Sequence, residues 1–467
     1  MSAHASHDAA VYRTIWRWHF YAGLIVAPFM LVLAVTGAIY LFNDEINDVV
    51  QRDLRFVTPY AEPLPASRLI AAAITASPGG RATRIDMPGS RDRSAQVFVS
   101  PQHGEPFRIF VDPGTGNVLG SHVYGRTLVG LADLAHGSLM LGPLGDNIVE
   151  LAACWGFILT VTGLYLWWPR GRRGLAGTLL PRLAASGRAF WKDLHAVTGV
   201  WTALLILFLI LTGLPWASLW GDLLRRGTDL AGIGYPTSFR GHGAVPAASP
   251  PPEVAKAGPW TLATAPPPQS DEHAHHHGGG RATGAAPGAM PSAVDAVAGA
   301  LAVRGIGGAY RLTLPKDGTG VLTAVIYPDR PQGQRTLYID QYSGHVLREV
   351  GFADYGWAAK AVEIGVQLHM GNYFGRLNQI VMLIPCAGIV VLSTTGVYMW
   401  WRRRPKGRLA APRAIAHPKL RTVALIVVGL AIVFPLAGAS LLIVLALDAA
   451  YRRVEAWMQV PGASAPS

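Results

Sequence analysis

Five long apolar stretches, separated by polar segments, dominate the chain. Each is free of Asp, Glu, Lys and Arg: 18–43, 151–169, 194–221, 377–401 and 422–447. A hydrocarbon core about 30 Å thick takes about 20 helical residues to cross, and a helix satisfies its own backbone polar groups. The pattern therefore predicts five transmembrane helices, at 19–42, 146–168, 194–220, 376–401 and 422–447.

The first apolar stretch has a second reading, as a secretory signal peptide. Its apolar run is longer than the roughly 7–15 residues that are usual in a signal peptide. Bulky Tyr40, Leu41 and Phe42 also stand where a cleavage site needs small residues. We therefore predict that this stretch stays in the protein as a membrane anchor.

The long segments 43–145 and 221–375 share a different pattern. Each has a helix-like run followed by three runs in which apolar and polar residues alternate, as in half-buried strands. These runs are Ala66–Ala76, Thr83–Met87, Ala95–Ser100 and Phe107–Asp112, then Ala293–Val303, Tyr310–Leu314, Val321–Tyr327 and Thr336–Asp340. A turn with Asp and Gly at fixed offsets closes each set, from Asp112 to Gly116 and from Asp340 to Gly344. The sequence predicts an α-helical integral membrane protein with about five spans from a duplicated two-helix unit and two small extramembrane α+β modules.

Residues 240–291, inside the second module, are rich in Pro, Ala and Gly, which predicts a disordered insertion. The insertion contains four closely spaced histidines: His273, His275, His276 and His277. Such a tract can bind Cu²⁺ or Zn²⁺ weakly. A solvated low-complexity loop explains the same residues, and we favour that interpretation.

The distribution of basic residues predicts the orientation in the membrane. Residues 170–193 carry six Lys or Arg and one Asp, and 402–421 carry eight and no acid. By the positive-inside rule, the loops 169–193 and 402–421 are cytoplasmic. The N-terminal residues 1–18 are then cytoplasmic, whereas the tail 448–467 and both modules face the periplasm or the cell exterior.

Composition agrees with a membrane protein whose first partner is lipid. Hydrophobic residues make up 51% of the chain and charged residues 15%. Much of the +12 net charge lies in the two cytoplasmic loops. The basic balance therefore does not point to nucleic acid as a partner.

The chain is an internal duplication that places histidines at matching positions. The segments 160–170 and 393–403 read TVTGLYLWWPR and STTGVYMWWRR. His136 precedes Thr162 by 26 residues, and His369 precedes Thr395 by the same number. Likewise, His19 precedes Thr36 and His195 precedes Thr212 by 17 residues. A pseudo-two-fold axis along the membrane normal would pair His19 with His195 at the inner face and His136 with His369 at the outer face.

Histidines in membrane spans are rare and usually face the bundle interior. A single one would most simply be a hydrogen-bonded interfacial side chain, but four in register favour cofactor ligation. Two axial imidazoles suit haem iron and leave no open coordination position, which favours electron transfer. The pattern predicts two haem b groups, and Arg17, Lys192, Arg170 and Arg402 are candidate partners for the inner propionates.

Taken together, these motifs resemble one known family, the PepSY-associated transmembrane proteins, also called iron-regulated membrane proteins. The resemblance covers nearly all of residues 12–447. The motifs that carry it are Trp16-Arg-Trp-His19 with Thr36-Gly37, Asp112 to Leu119, His136-Gly137 with Leu141-Gly142 and Gly145-Asp146, Thr162 to Trp168, Trp191 to His195, Leu368 to Asn372, and Trp400-Trp401.

The resemblance implies an inner-membrane ferric-siderophore reductase that carries electrons across the bilayer to chelated Fe³⁺ in the periplasm. No nucleotide-binding fingerprint accompanies the spans, so the electron donor would be external, a quinol or a cytoplasmic flavoprotein reductase. The His-rich insertion departs from the family pattern and leaves another metal chelate, such as one of copper, as an alternative substrate. Two other classes stay open: a non-redox metal-uptake accessory or transporter, and a regulatory membrane anchor.

Overall fold

The structure is a computed structural model that describes residues 3–169, 174–182, 184–234, 259–262, 267–270, 291–404 and 420–458. The chain divides into two compact units. The first consists of Met1–Thr36, Ala135–Leu223 and Leu383–Ser467, and the second of Gly37–Leu134 and Leu224–Met382. The first unit is helical, and the second contains the β-sheet.

The described residues form thirteen α-helices. In chain order they are α1 (Ala3–Leu41), α2 (Asn43–Val50), α3 (Arg52–Arg55), α4 (Ala66–Thr75), α5 (Leu128–Ser138), α6 (Gly142–Trp167), α7 (Gly187–Gly213), α8 (Ser218–Leu230), α9 (Pro291–Val303), α10 (Trp357–His369), α11 (Arg376–Arg403), α12 (Leu420–Val433) and α13 (Pro435–Met458).

Four segments of the described chain are long and apolar enough to cross a membrane: Val11–Leu41, Gly142–Trp167, Gly187–Trp216 and Arg376–Arg403. They correspond to the first four predicted spans. Within each most apolar window only 22–33% of the residues are buried inside the protein. Large apolar side chains such as Ile25 and Leu204 are 66% and 77% exposed. Lipid is the solvent that matches such a surface, so the protein is a membrane protein.

The predicted fifth span, 422–447, is not a single helix. The chain forms α12 and α13 instead, which meet at Phe434-Pro435, where the proline ring removes a backbone donor from the helical ladder. The bend is sharp, because a Cβ on Gly438 would lie 2.5 Å from the Cα of Ala431. Phe434 at the bend packs on Phe157 with ring centroids 5.1 Å apart. Neither α12 nor α13 is among the four membrane-crossing segments.

Both predicted α+β modules are present in the second unit, but they share one sheet. The first contributes β1 (Arg81–Met87), β2 (Ala95–Ser100), β3 (Phe107–Val111) and β4 (Val118–His122), and the second β5 (Tyr310–Thr313), β6 (Val321–Ile326), β7 (Arg335–Asp340) and β8 (Val346–Gly351). The order is β4-β3-β2-β1-β5-β6-β7-β8, and all neighbours are antiparallel. The modules therefore join edge to edge through β1 and β5, where Ile85 is opposite Leu312.

One core lies between this sheet and the helices α4 and α9. Leu69 of α4, Val297 of α9, and Ile85 and Leu312 of the sheet are fully buried in it. The two helices are tied directly, because the backbone N–H and hydroxyl of Ser67 donate to the two oxygens of Asp295, at 2.9 and 2.6 Å. The alternation that predicted the strands arises because every second side chain enters this core.

The prediction that residues 240–291 are a disordered insertion is wrong for the stretches 259–262 and 267–270. Trp260, in the described stretch 259–262, is 1% exposed. The backbone N–H and hydroxyl of Thr261 donate to Oε1 of the buried Glu363, at 3.1 and 3.0 Å. Residues 267–270 are also placed, and the Ser270 hydroxyl accepts from the backbone N–H of Gln341. The histidines His273, His275, His276 and His277 lie outside the described residues.

Candidate functional site

His19 lies on α1 and is oriented by a hydroxyl of α6. Its Nδ1 is 2.9 Å from Oγ1 of Thr162, and that hydroxyl donates its own proton to the carbonyl oxygen of Ile158 at 2.7 Å. The hydroxyl can therefore only accept from the ring, which assigns the proton of a neutral imidazole to Nδ1. The other ring nitrogen, Nε2, is left with its lone pair, as a metal ligand requires.

His195 on α7 repeats this arrangement with α11. Its Nδ1 is 2.9 Å from Oγ1 of Thr395, which donates to the carbonyl oxygen of Val391 at 2.6 Å. The same reasoning assigns the proton to Nδ1 and the lone pair to Nε2. His19 and His195 thus have the same tautomer and the same kind of threonine partner.

The glycine of each repeated Thr-Gly pair lies against the imidazole that its threonine holds. A Cβ on Gly163 would lie 3.3 Å from Cε1 of His19, and one on Gly396 would lie 3.5 Å from Cε1 of His195. A side chain at position 163 would press on the ring of His19, and a Cβ at position 396 would be in van der Waals contact with the ring of His195. The Thr-Gly pair therefore has two functions, because the threonine fixes the tautomer and the glycine leaves room for the ring.

Both histidines line one cavity of about 1180 Å³ within the helical unit. Typical small-molecule and cofactor pockets hold roughly 300–1,000 Å³, so the space is large enough for a bulky cofactor. Gly23 and Gly199, one turn after each histidine, also line it. Aromatic residues complete the wall: Tyr12, Trp16, Trp167, Trp191, Tyr398 and Trp400.

The charged residues that line this cavity are mainly cations: Arg13, Arg182, Arg188, Lys192, Arg402 and Arg403, against one acid, Asp193. Arg182 neutralises that acid through a bond of 2.6 Å from Nε to Oδ2. The cavity therefore carries an excess of positive charge. Lys192 and Arg402, two of the predicted propionate partners, are among its lining residues, and Arg170 lies outside the described residues.

His136 near the end of α5 shows the same tautomer. Its Nδ1 lies 3.0 Å from the carbonyl oxygen of Leu33, which can only accept, so the proton is on Nδ1. The hydroxyl of Thr36 is 3.2 Å from the same nitrogen and donates to the carbonyl oxygen of Val32. Thr36 is again the threonine of a Thr-Gly pair, and the proton on Nδ1 makes Nε2 the ring nitrogen that carries the lone pair.

His369, the predicted partner of His136, is the last residue of α10. Two residues later Gly371 has a φ of +81°, which favours glycine, and a Cβ there would lie 3.0 Å from Cγ of Gln379 and 3.1 Å from Cδ2 of Leu41. The amide of Asn378 donates to the carbonyl oxygen of Leu368 at 2.8 Å and fixes this turn. His136 and His369 belong to different compact units, so their pairing stays a prediction.

A buried carboxylate that the sequence did not indicate lies in α6. Glu150 is fully buried, and its Oε2 accepts from the backbone N–H groups of Leu219 and Trp220 in the first turn of α8, at 2.8 and 3.1 Å. Within the described residues its Oε1 has no hydrogen-bond partner. The apolar stretch 151–169 begins one residue after Glu150, whereas the helix begins at Gly142. The carboxylate is thus inside a membrane-crossing helix.

Comparison with known proteins places this architecture in a family. No curated protein sequence matches the chain at a significant level. The family model described as the PepSY-associated TM region matches residues 16–403, which include the whole sheet, three membrane-crossing segments in full and most of the first, Val11–Leu41. Since that match covers most of its length, the chain belongs to the PepSY-associated transmembrane family.

Proposed function

We propose that this protein is a haem b-containing electron-transfer protein of the bacterial inner membrane that reduces ferric siderophores on the periplasmic side. The observation that carries the proposal is the pair His19 and His195, which line one cavity and both leave Nε2 available. Two imidazoles of this kind are the ligand set of a six-coordinate haem whose role is electron transfer.

The residues present fit a haem in three respects. The donor set is complete, because both Nδ1 protons are held by threonine hydroxyls and no carboxylate or cysteine is needed. Gly163 and Gly396 keep side chains away from the histidines, and Gly23 and Gly199 line the same cavity. The cationic lining, Lys192 and Arg402 among it, suits the two propionates of a haem.

A bound haem would supply reversible one-electron transfer, which no side chain of this cavity provides. The protein's own residues supply orientation and electrostatics. Thr162 and Thr395 hold the imidazole planes, and the hydrogen bonds to Nδ1 raise the basicity of Nε2. The apolar walls limit water around the ligand atoms. The proposal extends to a second haem b held by His136 and His369.

The orientation and the substrate belong to the same proposal. The basic segments 169–193 and 402–421 would face the cytoplasm, and the sheet-containing unit would face the periplasm. Electrons would come from a quinol or a cytoplasmic reductase and leave to a ferric siderophore. Reduction favours release of the metal, since hard oxygen chelators hold Fe²⁺ less tightly than Fe³⁺.

Purified full-length protein tests the haem assignment. We expect a Soret band, α and β bands after dithionite reduction, and two haems per chain by pyridine haemochrome. His19→Ala and His195→Ala should each remove about half of that haem, because each deletes one axial ligand. The matched control is His345→Ala, in the turn after β7. A colourless preparation that contains no iron would refute the proposal.

A second candidate function, proton-coupled uptake of metal, has one observation in its favour. Glu150 is a fully buried carboxylate inside a membrane-crossing helix, and such residues commonly mark proton relays. Reconstituted vesicles with a pH-sensitive dye would test it. Under this alternative, an iron or copper chelate would drive proton uptake that Glu150→Gln abolishes. Under the electron-transfer proposal, ferric reduction continues in Glu150→Gln.

A further inference from the structure

The sheet face opposite the α4–α9 core carries a row of polar and aromatic residues. His122 of β4, Arg108 of β3, Phe98 of β2 and Arg84 of β1 are successive cross-strand partners. Their sequence neighbours Ile85, Val97 and Ile109 point into the core. Because side chains alternate along a strand, the row lies on the other face of the sheet.

The two arginines of this row stack on aromatic rings. Cζ of Arg84 lies 3.6 Å from the ring centroid of Phe98, and Cζ of Arg108 lies 4.7 Å from the same centroid. Cζ of Arg108 is also 4.1 Å from the ring centroid of Tyr124. Phe98 and Tyr124 therefore hold the Arg108 guanidinium from two directions, beside a second cation.

The nearby acids are engaged by other donors. Asp86 accepts two bonds from Arg84, from Nε at 2.7 Å and from Nη2 at 2.9 Å. Asp133 accepts from the Tyr124 hydroxyl at 3.2 Å. Nε of Arg108 is buried and has no acceptor within the part of the chain that the structure describes.

The surroundings of Arg108 disfavour its charge. Burial, and then the cation of Arg84, lower the pKa of the Arg108 guanidinium. Burial and then Arg108 also lower the pKa of His122, and an imidazole supplies no negative charge in either protonation state. A guanidinium keeps its proton under these conditions, and a buried N–H without an acceptor is costly. Nε of Arg108 is such a donor within the described residues, and an oxyanion is a group that would satisfy it.

We propose that Arg108 is an anion-binding residue whose ligand is a carboxylate or catecholate oxygen of a bound molecule. A guanidinium recognises such oxygens through a planar fork of donors, and the rings of Phe98 and Tyr124 pre-orient that plane. Two sources share this chemistry, namely a propionate of the second haem and the anionic oxygens of a ferric chelate. Both sources rest on the proposed function, whereas the anion site itself does not.

Full-length protein in detergent tests the proposal with three variants. Arg108→Gln removes the charge and keeps hydrogen-bonding capacity, and Arg108→Lys restores the charge without the planar fork. The matched control is Arg335→Gln on β7 of the same sheet, where the arginine pairs with Glu349 at 3.0 Å. Citrate serves as the probe anion, read as a rise in apparent melting temperature and as a Kd by calorimetry.

Three readouts separate the sources. Loss of one haem per chain in Arg108→Gln assigns the site to a propionate. Retained haem with a KM raised roughly 10- to 150-fold for an anionic ferric tris(catecholate), but not for an uncharged ferric tris(hydroxamate), assigns it to the chelate. A citrate Kd raised by the same factor establishes the anion site even in a preparation without haem, which would itself refute the proposed function. If Arg108→Gln matches the control in all three readouts, the proposal is overturned.

Discussion

At the scale of single residues, one device recurs: a threonine hydroxyl that gives its proton to the preceding helical turn and accepts one from a histidine. Thr36, Thr162 and Thr395 all bond to a carbonyl oxygen four residues earlier and lie within 3.2 Å of a histidine Nδ1. The helix thereby fixes the direction of the hydroxyl, and the hydroxyl fixes the tautomer. For His19 and His195 the tautomer leaves Nε2 as the nitrogen that can bind a metal.

Replacing Thr162 by Val tests this device. The variant keeps the shape of the side chain but removes the acceptor for Nδ1 of His19, so we expect haem affinity at the His19–His195 site to fall by about 10- to 100-fold. Thr162→Ser should retain wild-type affinity. Thr160→Val is the matched control, since Thr160 lines the same cavity but donates only to the carbonyl oxygen of Gly156. Equal haem retention in Thr162→Val and Thr160→Val would contradict the device.

Gly163 offers a steric test of the same site. A Cβ there would already lie 3.3 Å from Cε1 of His19, and the branched carbon of Val would displace the ring. Gly163→Val should therefore lose the inner haem as completely as His19→Ala, measured by pyridine haemochrome. Gly429→Val, in α12, is the control because a Cβ at that position meets nothing within 4 Å. Unchanged haem content in Gly163→Val would show that the ring has room to move.

At the scale of elements, the joined sheet is the main result that the sequence did not reveal. The alternating runs located the strands because alternation is local to each run. The pairing of β1 with β5 has no such local signal, since it joins residues more than two hundred positions apart, as Ile85 and Leu312 are. For the same reason, the lack of a local signal, the sequence did not predict the hydrogen bond from Thr261 to Glu363, which lies 102 residues later.

The contact between Ser67 of α4 and Asp295 of α9 should contribute measurably to the stability of the sheet-containing unit. Asp295 accepts two bonds from Ser67, one of them from a backbone N–H in the first turn of α4, where a negative charge is favourable. We expect Asp295→Ala to lower the free energy of unfolding of the sheet-containing unit by about 1–3 kcal/mol. Chemical denaturation followed by circular dichroism in the β-sheet region would measure this.

Asp295→Asn provides the comparison for that loss. The amide keeps one acceptor for Ser67 and removes the charge, so its destabilisation should be smaller than that of Asp295→Ala. Identical unfolding midpoints for Asp295→Ala and wild type would mean that the shared core and the β1–β5 pairing join the two modules without help from this contact.

At the scale of the whole molecule, the hydrophobic pattern predicted the four membrane-crossing helices correctly. It did not predict the division of the last apolar stretch into two helices or the buried carboxylate of Glu150. Four apolar stretches became four membrane-crossing helices because length and composition are sufficient for that inference. The stretch 422–447 has the same composition, but Pro435 divides it into two helices. The predicted span 146–168 includes Glu150, but the residue escaped notice because only the charge-free stretch 151–169 was searched for carboxylates.

The same reasoning about spans yields a prediction of orientation that can be checked without any cofactor. The positive-inside rule places the basic connection 169–193 in the cytoplasm and therefore the sheet on the opposite side. Ser90 is exposed in the loop between β1 and β2, and Ser186 is exposed immediately before α7. Single replacements Ser90→Cys and Ser186→Cys provide one reporter for each side, and both native thiols, Cys154 and Cys386, are buried.

A membrane-impermeant maleimide should label Ser90→Cys in right-side-out spheroplasts and leave it unlabelled in inverted membrane vesicles. Ser186→Cys should show the reverse. This result would place the sheet, and with it Arg108, in the compartment where a ferric chelate arrives, and the His19–His195 cavity near the cytoplasmic electron donor. Labelling of Ser186→Cys in spheroplasts would invert the orientation, and the proposed direction of electron flow would fail with it.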